Sequence, residues 1–410
     1  MRCVFAKTLF DGYKYVKNVY VVFEGKRIIR ISDKPEGEII GEGFVTPAFI
    51  DSHSHIGMSR HGEPSTEGEV NEQADIFLPD LDPLDSVYFD DKYFRDAIEF
   101  GVLYSCIVPG SGNLISGKAV VIRNFARDRS EAPIRYIGYK MALGYNPRST
   151  YLVWRGKRFF TRMGVYAFLH RKFHEVIKKK MKIEWRIRQR ERMLRRRMEK
   201  GIISKEEFEE EMKEFKEVLM MEFTPVDRAI LEILDRKKRV KVHVHKEDDV
   251  VFLVEIMRKY NLVGMAEHVE DVHRLEVFEL LRDNNIPVVY GPIDSYAYKT
   301  ELKHESYKNV KLLIQSKVKF SLMTDHPVVL ARNLMLGLRY FLMYGLDEEK
   351  ALAVITRNAA EILGVDDLLG IVEPGKLASL IVWDRNPFYL GAKPRLVIGE
   401  GKILHRWEEE

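Results

Sequence analysis

The run Phe49-Ile50-Asp51-Ser52-His53-Ser54-His55 combines an apolar start with two histidines spaced two residues apart. An apolar start that leads into His-x-His is typical of a buried strand, in which residues two apart point to the same side. His53 and His55 would therefore face one point in space. Neutral imidazole is a common ligand of zinc and similar ions. The run predicts half of a metal site, and because this spacing also occurs by chance, further ligands are needed elsewhere.

The chain that follows alternates apolar runs with helical stretches, which is the pattern of βα units and a parallel sheet. Eight strands are predicted, at 49–55, 102–109, 119–123, 135–143, 240–245, 262–268, 286–291 and 319–325. A closed (β/α)8 barrel is the simplest architecture for eight such strands. Its chemistry takes place at the C-terminal ends of the strands.

Histidine and aspartate residues lie at the C-terminal ends of several predicted strands, where the chemistry of a barrel takes place. His243 and His245 end the fifth predicted strand, His268 ends the sixth, and Asp325 ends the eighth. The C-terminal ends of all barrel strands lie at the same open end of the barrel, so these side chains are expected close to His53 and His55. Asp51 would share the strand face of His53 and could orient a ligand from behind.

The two ends of the chain have a different pattern from the middle. Residues 1–48 and 369–410 contain short β-type runs and turns, with hairpins predicted around Gly25-Lys26 and between residues 395 and 404. Two terminal β segments can pair into one small domain. We therefore predict a β domain from 1–48 and 369–410, and a barrel domain from 49–368.

Composition limits the classes of protein that fit. The 410 residues include 46% hydrophobic ones, a net charge of only +4, and two cysteines, Cys3 and Cys106. These values favour a large core, and they indicate neither a disulfide framework nor a polyanion as the general partner. No signal peptide and no apolar run long enough to span a bilayer is found. A soluble, cytoplasmic protein without a membrane partner is expected.

The ordered set of motifs resembles the amidohydrolase superfamily, in particular its imidazolonepropionase-related and prolidase-like branch. The set consists of Thr46 to His55, the later strand-end histidines, Thr324-Asp325-His326-Pro327, the residues Thr356, Asn358, Ala360 and Gly364, and Glu373-Pro374-Gly375-Lys376. The resemblance spans nearly the whole chain. It implies a distorted (β/α)8 barrel, a β-sandwich built from both termini, and metal-dependent hydrolysis at a carbon bound to nitrogen. It also implies one or two divalent ions, of which zinc is favoured, and a small-molecule substrate.

The resemblance also implies roles for single residues. His53 and His55 match the ligand pair of the first strand, and Asp325 matches the aspartate that touches the metal and shuttles a proton. His268 matches the sixth-strand ligand and could also stabilise the oxyanion. His243 fits the fifth-strand ligand best, which leaves His245 as a supporting or substrate-facing residue. Substrate contacts are expected from the loop after the first strand, which carries Arg60 and His61. Glu301, after the seventh strand, is a further candidate.

Lys140 lies inside the apolar run of the fourth strand, where an unpaired ammonium group would be costly. In members of the superfamily with two metals, this strand carries a lysine whose amine is carboxylated and bridges both ions. Lys140 resembles that residue. Carboxylation would imply two ions, whereas a lysine that snorkels or pairs with an anion would leave one ion among His53, His55, His243 and Asp325.

Residues 171–222 form the part least like the family. Apolar residues at helical spacing predict two helices separated by Gly201-Ile202-Ile203-Ser204, the first rich in Lys and Arg and the second rich in Glu. Ser204 with Glu207 predicts a capping box at the start of the second helix. A self-neutralising hairpin or lid, a dimer contact and a nucleic-acid patch remain open. Nucleic acid is disfavoured because an aromatic platform is lacking, and a homo-oligomer is expected.

Together the residues predict an amidohydrolase that uses metal-activated water to hydrolyse a C–N bond of a cyclic amide, amide or dipeptide-like molecule. Two alternatives stay open. One is a ring deaminase of the same superfamily, which would release ammonia. The other is a non-catalytic, metal-stabilised scaffold that uses its hairpin for assembly.

Overall fold

The structure, a computed structural model, describes residues 1–64, 67–149, 161–295 and 299–407. The predicted barrel range of 49–368 includes residues 65–66, 150–160 and 296–298, and the predicted C-terminal β segment includes 408–410. These positions lie outside the described residues. Two sheets organise the described part, one of eight strands and one of seven.

The eight-stranded sheet confirms the predicted barrel. Its strands are β5 (Phe49–Ser54), β6 (Val102–Ile107), β7 (Ile115–Arg123), β8 (Pro133–Ala142), β9 (Arg239–Val244), β10 (Gly264–His268), β11 (Val288–Tyr290) and β12 (Phe320–Leu322). Each strand pairs with its neighbour in chain order. The strands are almost wholly buried, because helices and loops cover the outside and side chains fill the inside.

Backbone contacts between the first and last strands close the barrel at its C-terminal edge. Ser54 and His326 form a parallel bridge. The amide of Asp325 donates to the carbonyl of His53 at 3.1 Å, and the amide of His55 donates to the carbonyl of His326 at 3.1 Å. These backbone contacts join the His-x-His run to the Asp325 segment, although more than 260 residues separate the two in the chain.

The third strand runs against the predicted direction. Strand β7 is antiparallel to both β6 and β8, whereas the other neighbours pair in parallel. The expectation of regular βα units was wrong here. Residues 108–114 and 124–132 connect these strands, and such short segments cannot hold the crossover helix that a parallel pair needs. This reversal is one source of the distortion of the barrel.

Helices cover the barrel from outside. They are α1 (Lys92–Glu99), α2 (Asn146–Ser149), α3 (Arg162–Glu199), α4 (Lys205–Met220), α5 (Pro225–Leu234), α6 (Glu247–Tyr260), α7 (Leu275–Asp283), α8 (Val310–Ser316), α9 (Leu338–Met343), α10 (Glu348–Val354) and α11 (Arg357–Leu363). Short 3-10 turns lie at Pro83–Ser86, Thr300–Leu302, Tyr307–Asn309 and Ala331–Gly337. Between β9 and β12 one α-helix follows each strand, and α9, α10 and α11 follow β12. This is the regular βα half of the barrel.

The seven-stranded sheet joins the two ends of the chain, as predicted. Its strands are β1 (Arg2–Phe10), β2 (Tyr15–Glu24), β3 (Arg27–Ser32), β4 (Glu38–Pro47), β13 (Leu380–Trp383), β14 (Pro394–Gly399) and β15 (Lys402–Arg406). Strands β4 and β13 pair antiparallel and join the N-terminal and C-terminal parts. The sheet packs on a separate hydrophobic core, which includes Val4, Phe23 and Ile398. Because β4 ends at Pro47, it feeds directly into the first barrel strand.

A helical hairpin projects from the barrel. Helix α3 begins at Arg162, upstream of the predicted start, and its first half packs Leu169 and Phe173 into the barrel core. Its second half packs on α4, where Ile183 meets Leu219 in a small separate cluster. The predicted capping box of Ser204 and Glu207 starts α4. Within the described ranges, no helix is both long and apolar enough to cross a membrane.

Candidate metal centre

His53, His55 and Asp325 meet at the closed edge of the barrel. The Nε2 atoms of His53 and His55 lie 3.3 and 3.2 Å from the same oxygen, Oδ1 of Asp325. The shared face predicted for the two imidazoles accounts for this convergence. The other nitrogen of His55, Nδ1, lies 2.8 Å from the carbonyl of Val108 and can donate to it. That bond leaves Nε2 of His55 as the atom with a lone pair facing the site.

Three further histidines stand beside this group. The ring centroids of His243 and His268 are 4.2 Å apart, and those of His243 and His245 are 4.6 Å apart. Ligand atoms of His243, His245 and His268 lie within 4.8 Å of one another, and so do those of His53, His268 and Asp325. His268 belongs to both groups. The structure therefore brings together all the histidines predicted from the strand ends, including His245.

The donor atoms of these residues fit a divalent metal. Nε2 of His53, both nitrogens of His243, Nδ1 of His245 and Nε2 of His268 are buried and have no hydrogen-bond partner within the described ranges. Buried polar atoms are rarely left unpaired. Imidazole nitrogen and carboxylate oxygen are the ligands that zinc and related ions take.

Electrostatics favour the neutral forms of His243, His245 and His268. Burial, together with the neighbouring imidazoles and Lys299, lowers the pKa of His243 well below its usual value. Burial also lowers the pKa of His268, against the opposing effect of Asp325. Burial alone would raise the pKa of Asp325, but the neighbouring imidazoles of His53, His55 and His268 hold it well below its usual value. Neutral imidazoles beside an ionised carboxylate form a ligand set that needs no further loss of protons.

Lys140, the predicted fourth-strand residue, lies under the centre and is completely buried. Its Nζ forms an ion pair with Glu267 and lies 3.5 Å from Nδ1 of His53. Lys241 is buried beside it, with Nζ 2.6 Å from the other oxygen of Glu267. Nδ1 of His53 lies 3.1 Å from that same oxygen. A Lys-Glu-Lys group therefore occupies the barrel interior below the first histidine.

Two more carboxylates, those of Glu301 and Glu270, lie close to the histidines. Oε1 of Glu301 lies 3.8 Å from Nε2 of both His243 and His245, and burial raises the pKa of Glu301 to about 7. The other oxygen of Glu301 accepts from the amide of Tyr145 at 2.7 Å. Glu270 lies 3.3 Å from Nδ1 of His245. The side chain of Glu301 is therefore buried beside the histidines and is not exposed to solvent.

Asp51 lies behind the metal-facing residues. Its carboxylate accepts from both the amide and the hydroxyl of Thr324, the residue before Asp325. It thereby ties the first strand to the eighth. Burial raises the pKa of Asp51 to about 6, against the opposing effect of the Thr324 bonds.

Arg60 and His61 lie apart from this cluster. Arg60 pairs with Glu63 and covers the ring of Tyr88 at 3.7 Å. The ring of His61 packs edge-on against Tyr93. In the described part of the chain, neither side chain is hydrogen-bonded to or paired with a predicted ligand. A substrate contact from either one remains a prediction.

The backbone is strained where the ligands lie. His268, Val269 and Asp325 adopt φ values of 72°, 53° and 50°. Residues other than glycine rarely occupy this left-handed region, and a β-branched valine does so at a particular cost. Strain of this kind persists only where surrounding contacts impose it, and it is common at functional sites.

Sequence reasoning missed Glu267 and Lys241 as parts of the site. Both lie inside apolar strand runs, as Lys140 does. A charged residue inside a predicted barrel strand needs a buried partner, because an unpaired charge there would be costly. That requirement is the sequence signal for Lys140, Lys241 and Glu267 alike.

Comparisons with known proteins identify the family of this chain. The sequence profile described as "Amidohydrolase family" matches residues 172–404, more than half of the chain. The protein "Amidohydrolase tasK" of Hapsidospora irregularis is 26% identical over 382 residues. That alignment covers 88% of this chain but only 37% of the relative, so this chain spans well under half of that protein's length.

Solved structures show the same fold over the whole chain. A crystal structure of an amidohydrolase from Thermotoga maritima superimposes with a TM-score of 0.85 at 26% identity, covering 99% of this chain and 100% of that one. A Xaa-Pro dipeptidase with bound methionine superimposes with a TM-score of 0.57 at 15% identity, covering 98% and 99%. The second likeness concerns the fold alone.

Proposed function

The chain belongs to the amidohydrolase family, and from this premise we propose that it is a metal-dependent hydrolase of a carbon–nitrogen bond in a cyclic amide, amide or dipeptide-like small molecule. One observation carries the proposal. Two groups of buried ligand atoms share His268, and several of their nitrogens have no hydrogen-bond partner within the described ranges.

His53, His55, His268 and Asp325 would hold the first ion, which we propose to be zinc. His243 and His245, together with His268, are the residues that could hold a second ion. A divalent ion at this place supplies Lewis acidity and lowers the pKa of water towards neutrality.

Asp325 has the position of the proton carrier. Its Oδ1 lies 3.3 and 3.2 Å from Nε2 of His53 and His55, and these neighbours hold the pKa of the carboxyl well below its usual value. In the proposed reaction, this carboxylate takes the proton of the attacking water and passes it to the leaving nitrogen. Nδ1 of His268 lies 3.0 Å from the carbonyl of Gly291 and can donate to it, so its unpartnered Nε2 keeps a lone pair for an ion, and a second ion would stabilise the oxyanion.

A small molecule is the substrate class that fits. The ligands lie inside the barrel mouth, and the side chains of His245 and Glu301 are each only 2% exposed. Two buried free cysteines, Cys3 and Cys106, support a reducing compartment, for which we propose the cytoplasm. We also propose a homo-oligomer, for which the helical hairpin is a candidate subunit contact.

Metal content per chain, measured by inductively coupled plasma mass spectrometry, is the first test. We expect one to two zinc equivalents in wild-type protein purified without chelators, and a clear loss in His55→Asn. A matched control is His405→Asn, because His405 lies on β15 of the seven-stranded sheet. A wild-type protein that binds no divalent metal would contradict the proposal and favour a non-catalytic scaffold.

A substrate screen then separates the two enzymatic readings. Dipeptides, N-acyl amino acids and cyclic amides are tested beside aminated purine and pyrimidine rings, with and without zinc. Release of a new carboxylate supports amide hydrolysis. Release of ammonia from a ring would instead establish the deaminase alternative.

A further inference from the structure

We propose that Glu267 is a positioning residue for His53, that Lys140 and Lys241 hold it in place, and that Lys140 serves this role as an ammonium group. This inference rests on the proposed function, because it assigns His53 to a metal. It goes further by giving a role to two residues, Glu267 and Lys241, that lie outside the predicted ligand set. It also gives Lys140 a role other than that of a carboxylated bridge.

The three charges form one completely buried group. The side chains of Lys140, Lys241 and Glu267 are each 0% exposed. Glu267 pairs with Lys140 through Oε2 and with Lys241 through Oε1 at 2.6 Å. Lys241 also donates to the carbonyl of Ser52 at 2.9 Å, which joins the group to the backbone beside His53.

Strand register explains why the group forms. Lys140 and Lys241 are direct partners in the parallel pair β8 and β9, so two ammonium groups would face each other inside the barrel. Strand β10 is the next strand, and its Glu267 pairs with the position two residues beyond Lys241. Buried charges are tolerated only when they are paired and hydrogen-bonded. One carboxylate between two lysines meets that condition for both of them.

The same carboxylate determines which nitrogen of His53 faces the site. Oε1 of Glu267 lies 3.1 Å from Nδ1 of His53, while Nε2 lies 3.3 Å from Asp325. A proton on Nδ1 that is donated to Glu267 leaves the lone pair on Nε2, directed at the proposed metal position. A carboxylate behind a ligating histidine fixes both the tautomer and the ring orientation.

A carboxylated Lys140 fits this surrounding poorly. Carboxylation would replace the positive charge of Lys140 by a negative one next to Glu267. Lys241 would then be the single lysine of the group beside two anions, and bound ions would have to supply the remaining positive charge. Lys241 already forms an ion pair with Glu267 and donates to the carbonyl of Ser52. As an ammonium group, Lys140 instead balances Glu267 directly.

The first experiment compares zinc affinity in wild type and in two variants, by competition with a chelating dye. Glu267→Asp keeps the charge between the lysines but shortens the reach to His53. Glu267→Gln combined with Lys241→Met removes the carboxylate together with one of its buried cationic partners, so the balance of charge is kept. We expect about 10- to 100-fold weaker zinc binding in both variants, the usual cost of removing such a partner.

Cobalt substitution supplies a readout that a purely structural role would not change. The visible absorption of bound cobalt depends on the geometry of its ligands, so we expect a shifted spectrum in both variants that fold. Glu400→Gln is the matched control, because Glu400 is also a buried carboxylate held by two cations, Arg123 and Lys26, in a different part of the molecule. It should leave both zinc affinity and the cobalt spectrum unchanged.

Unchanged zinc affinity and an unchanged cobalt spectrum in folded Glu267→Asp would overturn the role of Glu267. For Lys140, wild-type protein is incubated with 13C-bicarbonate and examined by 13C NMR. We expect no carbamate signal. A carbamate signal that is lost in Lys140→Met would overturn the ammonium assignment without affecting the proposed function. Absence of metal from the wild type would instead overturn the proposed function, and this inference with it.

Discussion

Basic and acidic side chains meet in two regions of this molecule, the barrel interior and the helical hairpin, and the regions differ in their access to water. In the barrel, Lys140 and Lys241 share Glu267 with no exposed surface on any of the three. On the hairpin, Arg190 pairs with Glu211 at 2.8 Å, and about a third of each side chain is exposed. Ion pairs of the same chemical groups are therefore expected to contribute very differently to the free energy of folding in the two regions.

Water is the reason for the difference. On the hairpin, solvent stabilises each charge whether or not its partner is present, so a surface pair contributes little. In the barrel, each partner that is removed leaves an uncompensated charge away from water. Charges that a protein keeps in such a place are candidates for function, whereas charges on a projecting hairpin mainly maintain solubility and local order.

The largest effect is expected at the mouth of the barrel. Asp325→Asn removes the proposed proton carrier, and we expect kcat/KM for the substrate found in the screen to fall about 10²- to 10⁴-fold. Metal content is measured beside activity, because Asp325 is also a proposed ligand. A variant that keeps both its metal and its full rate would show that Asp325 has neither role.

The next effect concerns stability. Lys241→Met leaves Glu267 with one cationic lysine fewer in a buried place, and we expect the free energy of unfolding to fall by about 3–5 kcal/mol. Urea denaturation followed by circular dichroism measures it. Lys182→Met on the exposed surface of α3 is the matched control and should change stability by no more than about 0.5 kcal/mol. Equal effects of the two substitutions would break the comparison.

A smaller effect is expected from the hairpin ion pair. A double-mutant cycle with Arg190→Ala and Glu211→Ala should give a coupling energy of about 0.2–1 kcal/mol. The coupling should also weaken as salt is raised, since exposed charges are screened. A coupling of several kcal/mol that is independent of salt would place this pair in the same class as the barrel group.

The smallest effect is expected from shortening the hairpin. Ile187 and Phe215 both pack on the cluster of Ile183, Leu219 and Phe223, so a short Gly-Ser link can replace residues 188–214. We expect metal content and kcat to remain within about twofold of wild type, because the proposed ligands lie on the barrel strands. Lost activity would identify the hairpin as a lid. A smaller assembly in size-exclusion chromatography would identify it as a subunit contact.

Local patterns in the sequence were enough to predict much of the architecture. The alternation of apolar runs with helical stretches predicted the eight barrel strands, and the turn at Gly25-Lys26 predicted the hairpin of β2 and β3, which the strand pairing confirms. The period of two in a strand placed His53 and His55 on one face, and the helical spacing with Ser204 and Glu207 predicted α4. Each of these features depends on neighbours within a few residues, whose geometry a sequence determines directly.

Only the tertiary structure decided how distant residues meet. The reversed direction of β7, the approach of His245 and Glu301 to one cluster, and the pairing of Glu267 with Lys140 and Lys241 all depend on strand register around the barrel. Register between strands is the result of packing and closure over the whole domain. The sequence by itself therefore determined the strands and the candidate ligands. The partners of the buried charges, on which the positioning of His53 rests, appeared only once the barrel was closed.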